Sequence, residues 1–182
     1  MRLPLSFDPA LLARDLTAAE SLVAWERHFN QAYYFGEWSG IALRGNSPNR
    51  FTLMIDPSRP DGFVNLPPLD ACPYVRKIVD AIQAPIRSVR FLKVAPDGGI
   101  REHNDAMVGI DFDELRLHIP VLTNPGVEFK VGGEIIPMQA GECWYVNVHL
   151  PHSVMNRGGS DRVHLVFDAA VNDWLRARIL GD

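Results

Sequence analysis

From residue 88 onward the chain reads as short extended segments cut by turns, and that alternation leaves little choice of fold. "SVRFLKV", "ELRLHIPV", "VEFKV", "GEIIP", "ECWYVNV" and "RVHLVFD" have strand length and are rich in β-branched and aromatic residues. The pieces between them, "APDGG", "TNPG", "GG", "QAG" and "RGGSD", carry turn chemistry. Strands this short and closely spaced close into a sandwich or barrel of antiparallel strands.

The front of the chain has a different period. "TAAE" at 17–20 is a capping box, after which Leu22, Trp25 and Phe29 recur at helical spacing. A second helix is expected from Asp70, with Val75, Ile78, Val79 and Ile82 as its apolar stripe and Pro85 as its stop. Between them "EWSGIALRG" and "RFTLMID" read as strands around the turn "GNSPN", while "PSRPDG" and "NLPPLD" read as loops. A last helix spans about Asn172 to Leu180. The expectation is a mainly β fold with flanking helices, a helix-buttressed jelly roll. It forms one domain over 1–182: an N-terminal helix-and-strand part (1–87), a jelly-roll core (88–171) and a C-terminal helix (172–182).

A chain of 182 residues, 47% hydrophobic, is long enough to bury a core of that kind. Its formal net charge of -4 argues against a nucleic-acid surface. Cys72 and Cys143 form no C-x-x-C pair and read as small core residues in a reducing compartment. The N-terminus lacks the apolar stretch of a signal peptide, and no apolar run is long enough for a membrane span, so a cytoplasmic location is expected.

Five of the six histidines lie between 103 and 164, and strand parity sorts them. His103 and Asp105 share a face, as do Arg116 with His118 and Arg162 with His164. Opposite them Leu117, Ile119, Val163 and Leu165 can pack a core. The bland reading of H-x-D is a solvated polar pair; the sharper one is a pair of metal ligands awaiting a third. Downstream, "HLPHSVMNRGGSDR" supplies a further histidine and then an arginine. Two histidines and a carboxylate bind Fe(II) on one face and leave three positions open, two for a chelating co-substrate and one for dioxygen. A buried arginine nearby suits the far carboxylate of a dicarboxylic acid.

"APDGGIREHND", "LRLHIPVLTNP", "GECWYVN", "HSVMN" and "RVHLVFD", in this order, resemble the aspartyl/asparaginyl β-hydroxylase family of Fe(II)- and 2-oxoglutarate-dependent oxygenases. The likeness runs from about Val89 to Trp174. It implies a double-stranded β-helix, with the front half over the substrate side. It also implies His103 and His152 as iron ligands, Arg162 on the 5-carboxylate of 2-oxoglutarate, and Arg116 with His118 lining the co-substrate pocket. The animal enzymes have glycine where this chain has Asp105; the complete triad resembles the bacterial free-proline hydroxylases. The implied reaction consumes O2 and 2-oxoglutarate, releases succinate and CO2, and hydroxylates an unactivated carbon of a small substrate such as a free amino acid.

Alternatives stay open at this point. His149 is a second choice for the distal ligand, since residues three apart on a strand cannot both face inward. His164, Asn156, Arg44 and Trp38 are further pocket candidates, whereas His28, Trp144 and Tyr145 read as structural. The activity has three rivals: hydroxylation of Asp, Asn or another side chain in a peptide or protein, a jelly-roll metalloenzyme that does not use 2-oxoglutarate, and a non-catalytic jelly-roll binding domain.

Overall fold

A computed structural model describes residues 1–47, 53–56 and 58–181. The chain opens with β1 (Arg2–Ser6), a strand absent from the expected order, which pairs with a strand of the second half. Helix α1 (Pro9–Leu22) begins at Asp8, whose Oδ1 accepts from the Ala10 and Leu11 amides at 2.8 and 3.3 Å. Pro9 is pre-set for the first turn, where its missing N–H costs nothing. The expected capping box is therefore corrected: "TAAE" lies inside α1, and Leu12, Leu16 and Ala19 are the buried stripe. The chain leaves the helix at Val23, so Trp25, His28 and Phe29 are not helical.

Strands β2 (Glu26–Arg27), β3 (Tyr34–Phe35) and β4 (Trp38–Gly45) follow. Of the expected strand "RFTLMID", residues 50–52 lie outside the described residues and 53–56 are irregular rather than extended in a sheet. The turn "GNSPN" also falls partly outside them. After β5 (Val64–Asn65) comes α2 (Pro67–Asp70), a short helix where "NLPPLD" is expected to be a loop, and then the expected second helix as α3 (Pro73–Ala81). Pro73 has no N–H to continue α2 and instead starts α3. The second half runs β6 (Ile86–Val94), β7 (Gly99–His103), β8 (Glu114–Leu122), β9 (Val127–Val131) and β10 (Glu134–Ile135). Then come β11 (Glu142–Val146), β12 (His152–Asn156), β13 (Arg162–Ala170) and α4 (Asp173–Leu180), the last capped by Asn172.

Among the described residues these strands form two antiparallel sheets of eight and five strands. The larger is ordered β1-β11-β8-β13-β6-β4-β2, with β5 beside β4; the smaller is β10-β9-β12-β7-β3. Consecutive strands repeatedly change sheet, which is the jelly-roll arrangement. Period-two alternation divides the larger sheet. Its Leu115, Leu117, Ile119, Val163, Leu165, Phe167, Val89 and Phe91 pack with Leu12 and Leu16 of α1, Val75 and Ile78 of α3, and Leu175 and Ile179 of α4. The other face carries Arg90, Arg116, His118, Arg162 and Asp168, which border a cavity whose opposite wall is the smaller sheet. Trp38, Val94 and Val146 from the larger sheet meet Tyr34, Ile100, Phe129 and Val154 of the smaller in a second apolar cluster.

Cys72 and Cys143 are buried free thiols, and burial pushes each up to about 12, with Asp15 adding to the shift at Cys72. Asp15 itself is a buried carboxylate that ties two helices together. Its Oδ2 accepts from the Tyr74 and Val75 amides at 2.7 and 2.9 Å, satisfying the first turn of α3 from the middle of α1. Asp15→Ala leaves those amides buried without acceptors. It should lower stability by about 2 kcal/mol in urea melts, with the site chemistry unchanged.

Candidate metal centre

Strand pairing brings the metal candidates together. His103 ends β7, His152 begins β12, and the two are direct cross-strand neighbours. Asp105 lies two residues past His103, its amide fixed by the Val148 carbonyl at 2.8 Å. One ligand atom from each residue lies within 4.8 Å of the other two, the one such cluster among the described residues. The imidazole rings are 4.3 Å apart, and His103 Nε2 is 3.7 Å from Asp105 Oδ1.

The donor chemistry fits a divalent metal. His103 Nδ1 sits 2.8 Å from the Arg101 carbonyl and His152 Nδ1 sits 3.1 Å from the Leu150 carbonyl. A carbonyl only accepts, so both protons belong on Nδ1, and both Nε2 lone pairs are free to coordinate. Burial, ahead of the nearby Arg116 charge, keeps His152 below its ordinary pKa and so in the neutral ligating form. Asp105 Oδ2 accepts from Arg116 Nη1, which leaves Oδ1 on the histidine side.

Behind Asp105 lies a chain of buried charge. Arg116 Nε donates to Asp168 Oδ1 at 2.7 Å, and Asp168 Oδ2 accepts from Arg90 Nη1 at 2.7 Å and Ser88 Oγ at 2.8 Å. Asp168 faces Arg116 on one neighbouring strand and Ser88 on the other, so the network is a row across three strands. Burial alone would raise the Asp168 carboxyl, but Arg116 and Arg90 hold it well below the usual carboxylate range.

The cavity over this centre has a volume of about 410 Å³. Arg162 lies in its wall at 2% exposure, with Nη2 2.8 Å from His164 Nδ1 and its guanidinium 5.4 Å from the Phe129 ring. No carboxylate among the described residues pairs with it, and burial pulls it down to about 9. His118 and Trp38 also line the cavity. His164 is buried beside His118, their Nδ1 atoms 3.3 Å apart.

Three pocket candidates lie elsewhere, one of them His164, which borders a separate cavity with Phe129 and Met138. Asn156 is buried but spent on a turn, donating to the Val94 and Ser160 carbonyls at 3.0 and 2.9 Å and accepting from the Gly158 amide. Arg44 donates to the Ile86 carbonyl at 2.9 Å and to Asn65 Oδ1 at 2.8 Å, at the far end of β4. His149 is exposed in the turn before β12 and packs on Phe112, away from the cluster. Tyr145 is a buried core residue, while Trp144 is half-buried. Sequence reasoning missed Arg90 and Asp168, although parity would have placed both on the cavity face, Asp168 six residues after Arg162. It also took His28 as structural, yet this ring stacks on Trp38 at 3.7 Å and lines the cavity with Tyr33 and Phe29. His28 and Phe29 sit in a loop and Tyr33 ends a single 3-10 turn, where no periodicity marks them.

Metal titration followed by calorimetry should show one Fe(II) or Mn(II) site. His152→Ala should weaken it by about 100-fold or more, and His149→Ala should leave it unchanged. Asp168→Asn should cost about 3–5 kcal/mol at neutral pH. Because the folded carboxyl is depressed, this stabilisation is complete above the unfolded value near 4 and fades as the pH falls below it. Urea melts of wild type and variant should therefore converge toward acid.

The chain matches the family profile described as aspartyl/asparaginyl beta-hydroxylase over residues 26–171. It is 29% identical over 168 residues to L-proline cis-4-hydroxylase of Rhizobium meliloti (strain 1021), covering 89% of this chain and 57% of that protein's length. The fold is shared with an oxidoreductase of the 2OG-Fe(II) oxygenase family from Burkholderia pseudomallei (TM-score 0.57, 17% identity, 92% of this chain and 84% of that one). It is also shared with a Pseudomonas putida prolyl-4-hydroxylase (TM-score 0.56, 14% identity, 90% and 86%). With the profile running from β2 to the end of β13 and taking in all three clustered residues, the chain belongs to the aspartyl/asparaginyl β-hydroxylase family.

Proposed function

We propose that the chain is an Fe(II)- and 2-oxoglutarate-dependent dioxygenase that hydroxylates an unactivated carbon of a small substrate, a free amino acid or a related molecule. The observation that carries this reading is a buried guanidinium, Arg162, without a carboxylate partner among the described residues, in one cavity with a His/Asp/His cluster. A charge taken out of water is stable only when paired, so the cavity asks for an anionic ligand. A metal-chelating 2-oxo acid with a second carboxylate meets both demands. A jelly-roll enzyme that ignored 2-oxoglutarate would have no use for Arg162.

His103, Asp105 and His152 would hold the iron. Iron so bound lets dioxygen oxidise 2-oxoglutarate to succinate and CO2, one oxygen atom going to each product molecule, succinate and hydroxylated substrate. The chain's own part is positional. Arg162 fixes the far carboxylate of the co-substrate. Arg116 occupies one Asp105 oxygen and aims the other, and Asp168 neutralises Arg116 and Arg90 so that neither competes as a loose cation. Ile100, Val108, Phe129, Val148 and Val154 keep that end of the cavity apolar and exclude water. His28, Phe29, Tyr33 and Trp38 also line the cavity and would meet the substrate.

The volume of about 410 Å³ suits two small molecules side by side rather than a folded partner. The similarity to a protein named L-proline cis-4-hydroxylase makes proline the first substrate to try. Free thiols in the core accord with a cytoplasmic setting, and among the described residues no helix is long and apolar enough to cross a membrane.

A panel of free amino acids and short peptides, incubated with Fe(II), 2-oxoglutarate and oxygen, tests the proposal. Succinate release matched by a product heavier by one oxygen atom is the expected result. Absence of 2-oxoglutarate turnover with every candidate would reject it. Arg162→Leu should raise the 2-oxoglutarate KM by about 100-fold, near 3 kcal/mol. Unchanged turnover in that variant would point to a metalloenzyme that does not use 2-oxoglutarate.

A further inference from the structure

The segment before β4 lies flat on the strand that carries His103. β3 pairs with β7 through Ile100 and Gly99, and a Cβ on Gly99 would sit 2.6 Å from the Phe35 ring. Arg101 closes the contact. Its Nη1 donates to the Ala32 carbonyl at 3.0 Å and to the Tyr34 carbonyl, one on each side of Tyr33. The single turn Gln31–Tyr33 is capped by Asn30 Oδ1, which accepts from the Ala32 amide at 3.2 Å. With its backbone gripped on both sides, the Tyr33 ring lies over the His103 imidazole, 5.1 Å between centroids and 14° from parallel. Tyr33 is itself 43% exposed, so core packing does not hold the ring there.

Arg101 thus reaches His103 twice. Its carbonyl accepts from the imidazole Nδ1–H, and its guanidinium sets the turn that lays a phenol ring on the same imidazole. The turn also belongs to the wall of the cavity. Tyr34 Oη donates to the His28 carbonyl at 3.2 Å, the His28 amide donates to the Trp38 carbonyl at 2.9 Å, and the His28 ring stacks on both Phe29 and Trp38. His28, Phe29, Tyr33 and Trp38 are therefore one cross-tied unit, and Tyr33 is where that unit meets the His/Asp/His cluster.

A metal on Nε2 draws electron density out of the imidazole. An electron-poor ring is attracted to the electron-rich face of a phenol more strongly than a neutral ring is. The stack is then stronger with the metal bound, and by reciprocity whatever the stack adds to metal affinity, the metal adds to the stack. Resting on the reading of His103, Asp105 and His152 as metal ligands, we propose that Tyr33 is a positioning residue that couples metal occupancy to the substrate wall. The metal-bound imidazole fastens Tyr33, and Tyr33 with the Arg101 clamp fastens residues 28–35. The wall that meets the substrate is complete only once the metal is in place, so substrate follows metal in order.

The test is calorimetric titration of the metal-free protein with Zn(II), with amide exchange read by mass spectrometry before and after loading. Tyr33→Ala should bind Zn(II) roughly threefold to tenfold more weakly. Tyr33→Phe should match wild type, while Tyr33→Leu, apolar but without a π face, should fall with Tyr33→Ala. Arg101→Met keeps the backbone carbonyl that fixes His103 and removes only the clamp. It should lose as much as Tyr33→Ala, and the double variant should lose no more than either alone. In wild type, exchange across 28–35 should slow on loading, and in Tyr33→Ala it should not. Equal Zn(II) affinity in wild type and Tyr33→Ala would overturn the proposal, as would equal slowing of 28–35 in both. A ring that merely supports the fold would lower the urea midpoint of the metal-free protein and leave both readouts unmoved. Wild type that binds no Zn(II) would instead overturn the reading of the metal centre beneath it.

Discussion

The Asp168 carboxylate, sealed between two guanidiniums, is the interaction on which the site depends. Arg90, Asp168 and Arg116 come from three adjacent strands of the larger sheet. Without the carboxylate, two buried cations would repel each other across a few ångströms of low dielectric. With it, Arg116 is anchored through Nε and is free to grip Asp105 through Nη1. The geometry of Asp105, which lies in a loop, is thereby set by the rigid sheet opposite. The sheet also supplies Arg162 and His118, so the grip on Asp105 and the unpaired buried guanidinium share one scaffold.

The two faces of that sheet divide the labour. One is mainly apolar and is buttressed by α1, α3 and α4, which holds the strands in register. The other carries most of the chain's buried charge, which would be costly to hold on a sheet that could flex. Asp15, buried between helices, ties down the buttress by satisfying the start of α3. The polar face can be dense in histidine and arginine because the apolar face behind it is so completely packed.

Much of this was legible in the sequence, for a physical reason. Side chains alternate along a strand, so Arg116 with His118 and Arg162 with His164 had to share a face once the strands were recognised. The same rule reaches Arg90 and Asp168, but a charged residue within an apolar strand gives no sign of its partner until the strand order is known. The start of α1 was misread because "TAAE" has the capping pattern, while the true cap, Asp8 before Pro9, lies further upstream. His28 was misplaced with it. Its stacking on Trp38 depends on a loop folding back over β4, which no local period encodes. One boundary separates His149 from His152: β12 begins at His152, leaving His149 in the turn before it.

His103 and His152 are opposite each other on neighbouring strands of the smaller sheet, at a register shift in their ladder. An ion gripping both rings would act as a removable rivet at the spot where backbone pairing is least regular. Chelation would then do more than silence chemistry. It would loosen one wall of the barrel while the helix-backed wall stayed closed, so amide exchange in β7 and β12 would report occupancy before any change in overall compactness.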